Sequence, residues 1–453
     1  MNVFMDRIHG TEMEWGAMVV HPKQSMQFQL NGNVLEDHVK EAMTKNGTAF
    51  IGRNNDHYLE NGARLYRDGY ERWEYATPED ISYAGTTANE FAGERYLADT
   101  AALYKEETGN NISFTKRVID DKERSCGYHV SYCLDAKKVK ITEDALALYG
   151  VFAATRSVVF GSGALLPGGK FILGQKAFTA NCDYSPHTIR QKPVVNLRDE
   201  PLANPDKFTR FHDTLIDPSM SPWSSRVKIA AGSIVARMVE ANEHMPWLRF
   251  DSPLCLVARN TSADNRLALQ HRLISGNYIS AIDVQQIIVK HARHLAEEST
   301  ISLNDEEQWA LEEWEGALKD LAQNPALTNR RIEWIDRLKI LDRQHERHGY
   351  GWDSEYLRYK DRQFSEIATQ GIAKALRETI WSEYMPENSL IKERMHRPPA
   401  TRAAIRGRFI QKVADRPNAN LSRIMWSNIR YRGVDYQLSD PYQSTDQDLD
   451  AIA

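Results

Sequence analysis

Long apolar runs are missing from this chain. Across 453 residues no stretch approaches the ~20 apolar residues that cross a bilayer as a helix. The opening segment MNVFMDRIHGTEMEWG also puts Asp6, Glu12 and Glu14 where a signal peptide needs its apolar core. A soluble, cytoplasmic protein with no membrane partner is expected. Cysteine is scarce too: Cys126, Cys133, Cys182 and Cys255 are the only four, and no pair has CxxC spacing. That disfavours a zinc ribbon, a thioredoxin-like motif and a disulfide scaffold, and points to free thiols in a reducing cytosol. Nor does one charge dominate, since 57 basic against 62 acidic residues leave a formal net charge of −5. A polyanion-coating protein is disfavoured, and no nucleic-acid partner is expected. There is no GxSxG nucleophile elbow and no internal repeat.

What is present is an ordinary folding composition, 42% hydrophobic and 26% charged, which excludes wholesale disorder. At roughly 150 residues per domain the length suggests two or three domains. Alternation over residues 8–20 predicts a strand, residues 61–75 an extended hairpin, and residues 128–134 and 193–197 two further strands. Residues 35–43 read as a short helix. The middle then turns helical, with apolar stripes over 224–242, from Trp309 to Leu321, and from Ile332 to Leu341 up to Gly349. Ser280 and Asp283 read as a capping box opening a helix that carries Ile287, Ile288 and Leu295. Pro398 and Pro399 mark a boundary. The expected units are 1–396, a small C-terminal domain over 397–445, and a flexible tail over 446–453.

The chemistry concentrates in NGARLYRDGYERWEYATPE, residues 61–79. In a strand Arg64, Tyr66 and Asp68 project from one face, while Leu65 and Arg67 project from the other. Glu74 and Thr77 return after a turn centred on Gly69. A guanidinium, a phenol and two carboxylates on one face cost several kcal/mol if buried dry and unpaired; around divalent cations and phosphates they make sense. Glu12 and Glu14 repeat the device at i and i+2. Hard cations such as Mg²⁺ take carboxylate oxygens and share them with nucleotide phosphates, so Glu12, Glu14 and Glu74 are candidate ligands. An amphipathic sheet with a solvated polar face would show the same spacing. Other signals fail: GALLPGGKF has one residue too many for a Walker A loop and no Ser or Thr after Lys170. The pairs His291/His294 and His345/His348 lack further ligands and read as solvated helix faces.

GTEMEWG, NGARLYRDGYERWEYATPE, KPVVNLRDEPLANPDKFTRFH and RPPATRAAIRGRFI, in that order over about residues 8–441, resemble the Pup ligase/Pup deamidase family. The resemblance implies an α+β, glutamine-synthetase-like fold: a curved antiparallel sheet packed by helices, with a small C-terminal domain closing on a nucleotide. It implies Glu12, Tyr66 and Glu74 at magnesium positions with Glu14 close by, and Arg64 and Thr77 on ATP. Trp426 would lie against the nucleotide, Arg198, Arg402 and Arg406 on its phosphate side, and Asp68 would be catalytic. The cofactors implied are ATP and Mg²⁺, the partners a Pup-like small protein modifier and lysine-bearing proteins, and the state a monomer. Asp68 and Glu74 are six residues apart as in the ligase branch, and residues 16–61 lack the deamidase insertion; GTEMEWG is closer to the deamidase motif. A family His-Glu-Asn-Tyr run becomes His129-Val130-Ser131-Tyr132, and DEPHAD becomes DEPLAN through Leu202 and Asn204. These departures leave open a divergent ligase acting on another Glu-terminated peptide.

Overall fold

The structure, a computed structural model, describes residues 6–20, 27–28, 32–53, 55–68, 72–119, 126–188, 190–328, 330–368, 371–417 and 419–452. Its organising element is β1 (His9–Val20). Alternation sends Met13 and Trp15 into the core and leaves Glu12 and Glu14 part-exposed on the opposite face. Five short strands follow: β2 (Gln27–Phe28), β3 (Phe50–Arg53), β4 (Asp56–Leu59), β5 (Arg64–Asp68) and β6 (Arg72–Ala76). The turn expected around Gly69 lies outside the described residues. β7 (Asn111–Thr115), β8 (Tyr128–Asp135) and the strand Phe208–Asp213 complete a nine-stranded sheet. Its order is Phe208–Asp213, β8, β1, β6, β5, β4, β3, with β2 and β7 on the far half of β1, and every pairing is antiparallel.

Helices cover the apolar face. α2 (Tyr83–Thr108), following α1 (Gly32–Lys45), starts at Ser82, whose hydroxyl accepts from the Gly85 N–H, and stops at left-handed Gly109. Gly93 lets α2 sit directly on the sheet, because a Cβ there would lie 2.6 Å from the Tyr75 ring. Leu65, Trp73 and Tyr75 from the sheet share one core with Tyr96 and Leu97 of α2 and with the helices Pro222–Glu240 and Asp305–Gln323. The expected helix stripes are thus core, and the α+β expectation holds. The cap at Ser280 is only half of a box: its hydroxyl accepts from the Asp283 N–H, but Asp283 turns its carboxylate back to that hydroxyl. The reciprocal box forms instead at Asn304 and Glu307. Among the described residues no helix is long and apolar enough to cross a membrane.

After Pro398 and Pro399, Thr401 caps the helix Arg402–Val413. Ile405, Phe409, Ile410 and Val413 share a second core with Ile424, Ile429 and Leu438, and with Ile51 and Tyr58 from β3 and β4. The C-terminal segment is therefore built onto the β3–β4 edge of the sheet. Within the tail expected to be flexible over 446–453, Gln447–Asp450 is helical and its Leu449 is 1% exposed. Arg408 Nε donates to Asp450 Oδ1 at 2.8 Å. One leucine and one ion pair suffice to dock a polar segment once a groove receives them, and sequence alone does not show the groove. Gly62 sits where the two cores meet, at φ +81°, and a Cβ there would lie 2.7 Å from Ala403 Cβ. Gly62→Ala should therefore lower stability by about 1–3 kcal/mol, read as a reduced chemical-denaturation midpoint.

Candidate active site

Strand register assembles the site. Glu14 on β1 is opposite Glu74 on β6, which is opposite Tyr66 on β5. One row along, Glu12 faces Ala76, and Ala76 faces Arg64. One ligand atom each from Glu14, Asp68 and Glu74 come within 4.8 Å of one another. Burial, and then the charges of Glu12, Glu14 and Asp68, push the Glu74 carboxyl far above the usual carboxylate range. Burial beside Glu74 and Glu12 likewise raises the Tyr66 phenol. Arg72 donates to Glu14 Oε2 at 3.1 Å. Asp68, by contrast, is exposed at the rim.

A second cluster surrounds Glu12. His129 of β8 stands opposite it and places Nδ1 3.2 Å from Glu12 Oε2. From the strand Phe208–Asp213, Arg210 donates to Glu12 Oε1 at 3.1 Å and to Ser131 Oγ at 2.9 Å. His212 Nε2 lies 3.7 Å from Glu12 Oε2, too long for a hydrogen bond, and has no hydrogen-bond partner among the described residues. Burial opposes the charge on Glu12, but the two histidines and Arg210 hold its carboxyl well below the ordinary range. Burial and Arg210 pull His212 down to about 4, so its imidazole is neutral near pH 7, as a metal ligand must be. Neutral imidazole with an orphaned nitrogen beside a carboxylate suits a divalent cation, and so does the Glu14–Asp68–Glu74 group, whose three carboxyls crowd together until a cation lets all of them ionise.

Between these groups and the C-terminal segment lies a cleft of about 630 Å³. Glu12, Thr77, Arg402 and Trp426 all line it. Thr77 Oγ1 accepts from the Thr11 N–H at 2.9 Å. Arg64 lies 4.0 Å over the Tyr66 ring and grips Asp56 with two hydrogen bonds of 2.7 and 2.9 Å. Trp426 meets Tyr58 edge-on, with the Arg406 guanidinium 4.8 Å from its ring centre.

The three arginines expected on the phosphate side are placed differently from one another. Arg198 does not line the cleft; it is 54% exposed and pairs with Glu200 at 2.7 Å. Arg406 is 0% exposed and is spent on Glu79, on Gly62 O at 3.1 Å and on Trp426 O at 3.2 Å. Arg402 reaches the cleft wall, but its guanidinium holds Glu79 Oε1 at 2.6 Å, Leu202 O at 2.5 Å and Leu438 O at 3.0 Å. Both are clamps between the sheet and the C-terminal segment. Sequence reasoning missed Asp56, Glu79, Arg210 and His212 and gave His129 no role. Only Arg210 and His212 carried a signal, the i and i+2 spacing in TRFHD.

A family model described as Pup-ligase protein matches residues 7–430. A Pup–protein ligase of Acidimicrobium ferrooxidans is 29% identical over 461 residues, covering 98% of this chain and 98% of that protein. The crystal structure of the complex between the prokaryotic ubiquitin-like protein Pup and its ligase PafA superposes with a TM-score of 0.83 at 22% identity, over 98% of this chain and 91% of that one. PafA in complex with ADP superposes with a TM-score of 0.78 at 21% identity, over 95% of each chain.

Proposed function

Because this chain belongs to the Pup-ligase family, we propose that it is an ATP-dependent carboxylate–amine ligase. It joins the side-chain carboxylate of a C-terminal glutamate, on a Pup-like protein modifier, to lysine ε-amines of other proteins. The carrying observation is the acidic face where Glu14, Asp68 and Glu74 converge beside the cleft lined by Glu12, Thr77 and Trp426. The similarity to ADP-bound PafA supports a nucleotide in that cleft.

Glu12 with His129 and His212, and Glu14 with Glu74 and Tyr66, would hold divalent cations, Mg²⁺ for ATP. Such cations supply charge neutralisation on the nucleotide phosphates. The modifier's carboxylate oxygen attacks the γ-phosphorus, ADP leaves, and an acyl phosphate results. The neutral lysine amine then attacks the acyl carbon, phosphate departs with the C–O electron pair, and the amine proton passes to Asp68. Arg64, fixed by Asp56 and the Tyr66 ring, offers a guanidinium to the nucleotide. Arg210, in hydrogen-bond reach of Glu12, is better placed for the phosphate side than Arg198, Arg402 or Arg406. The segment 397–445 contributes Trp426 as the lid of the nucleotide site. The absence of a disulfide among the described residues suits a cytoplasmic setting.

Intact-mass spectrometry tests this reading. Incubation with Mg-ATP, Glu-terminated Pup and a lysine-bearing acceptor should give an ATP-dependent adduct lighter than the sum by one water. No adduct, together with ammonia release from Gln-terminated Pup or cleavage of a preformed conjugate, would move the chain to the depupylase reaction that GTEMEWG favours.

A further inference from the structure

The cleft lining divides by chemistry. Glu12, Ser131 and Arg210 form its polar part and are hydrogen-bonded together, while Ile8, Pro201, Leu202, Ala203, Pro441 and Trp426 form an apolar part. Triphosphate and cations belong with the first group, and a flat heteroaromatic base with the second. Within the apolar part Leu202 has an unusual backbone, with φ +51°. Seven described non-glycine residues have positive φ, and Leu202 alone of them lines the cleft. A γ-branched residue gains nothing locally from the left-handed region, which costs every residue but glycine, and to a lesser degree asparagine or aspartate.

The surroundings impose that conformation. Arg402 donates to the Leu202 carbonyl, and the same guanidinium holds Glu79, three residues beyond β6, and Leu438 of the C-terminal segment. Two residues on, the Asn204 N–H donates to Ser439 O at 2.8 Å. The loop is thus stapled to the C-terminal segment at the Leu202 carbonyl and again two residues on. Yet the Leu202 side chain, held at this cost, stays part-exposed at the cleft instead of being buried in either core. Strain kept at a site wall and spent on presenting apolar surface to an opening signals a ligand contact.

We propose that Leu202 is a specificity-determining residue for the nucleotide: its side chain forms the apolar wall that, with Trp426, takes the base, and Arg402 is the positioning residue that aims it. This rests on the nucleotide-binding reading above. Affinity for ATP should then depend on Leu202, while affinity for a base-free polyphosphate should not.

The test is calorimetric titration of the full chain with Mg-ATP and, separately, with Mg-tripolyphosphate, for the wild type, Leu202→Gly and Leu202→Asn. Both substitutes accept positive φ, so the fold is expected to survive with a thermal midpoint within a few degrees of wild type. Removing the apolar wall should weaken ATP binding by about tenfold and leave tripolyphosphate binding unchanged. Wild-type ATP affinity in either folded variant overturns the proposal, as does an equal loss for ATP and tripolyphosphate. Failure of the wild type itself to bind Mg-ATP would bring down the ligase reading, and this inference with it.

Discussion

Asp68→Asn should leave Mg-ATP binding near wild type and slow isopeptide formation by about 10²–10⁴-fold, the usual worth of a positioned general base. The incoming lysine has an ordinary pKa near 10.4, so at neutral pH its ammonium must shed a proton before or during attack. Asp68 stands at the rim of the acidic face and is exposed, where a lysine on a folded target can reach it from solvent. Asparagine keeps the shape and loses the proton acceptor. Single-turnover ligation followed by mass, paired with a calorimetric ATP titration, separates the two effects. Asp68 also lies within ligand distance of Glu14 and Glu74. If the substitution abolishes nucleotide binding together with turnover, Asp68 is a cation ligand and the base lies elsewhere.

Glu79→Gln should destabilise the junction between sheet and C-terminal segment by about 3–5 kcal/mol, because it strips the counter-charge from two buried guanidiniums. Burial alone would raise the Glu79 carboxyl, but Arg406 and then Arg402 bring it down to about 2. An unfolded glutamate titrates near 4.3, so this depressed pKa stabilises the folded state by about 3 kcal/mol at neutral pH. The contribution is complete above the unfolded pKa and is lost as pH falls through about 2. The stability gap between wild type and Glu79→Gln should accordingly be widest above about pH 5 and close steadily below it. Urea unfolding at a series of pH values, followed by Trp fluorescence, measures the gap. A pH-independent gap would mean that Glu79 acts through packing and not through its charge.

Local periodicity carried the site as far as single strands. Two-residue alternation is a property of any extended chain, so it put Glu12 with Glu14, and Arg64 with Tyr66 and Asp68, on shared faces before any fold was known. The same rule separated Met13, Trp15 and Leu65 into the core. Helical stripes from Trp309 to Leu321 and beyond Ile332 were equally local, and Gly349 ended the latter in the left-handed conformation that the stop required.

Partnership is where the sequence by itself stopped. That His129, Arg210 and His212 converge on Glu12 depends on β8 lying beside β1 and the strand Phe208–Asp213 lying beside β8, which brings together residues up to two hundred positions apart. No local pattern encodes which strands become neighbours, because that is settled by burial of the whole apolar face at once. Arg402 and Arg406 show the same limit from the electrostatic side. A guanidinium must find anionic or carbonyl oxygens, and residue type announces that need. Whether the oxygens belong to a phosphate or to Glu79 was decided only by tertiary packing, which put Glu79 in reach of both and closed water and ligand away from Arg406. Sequence determined which chemistry the chain would carry; the fold decided which of its charges remain free for a ligand.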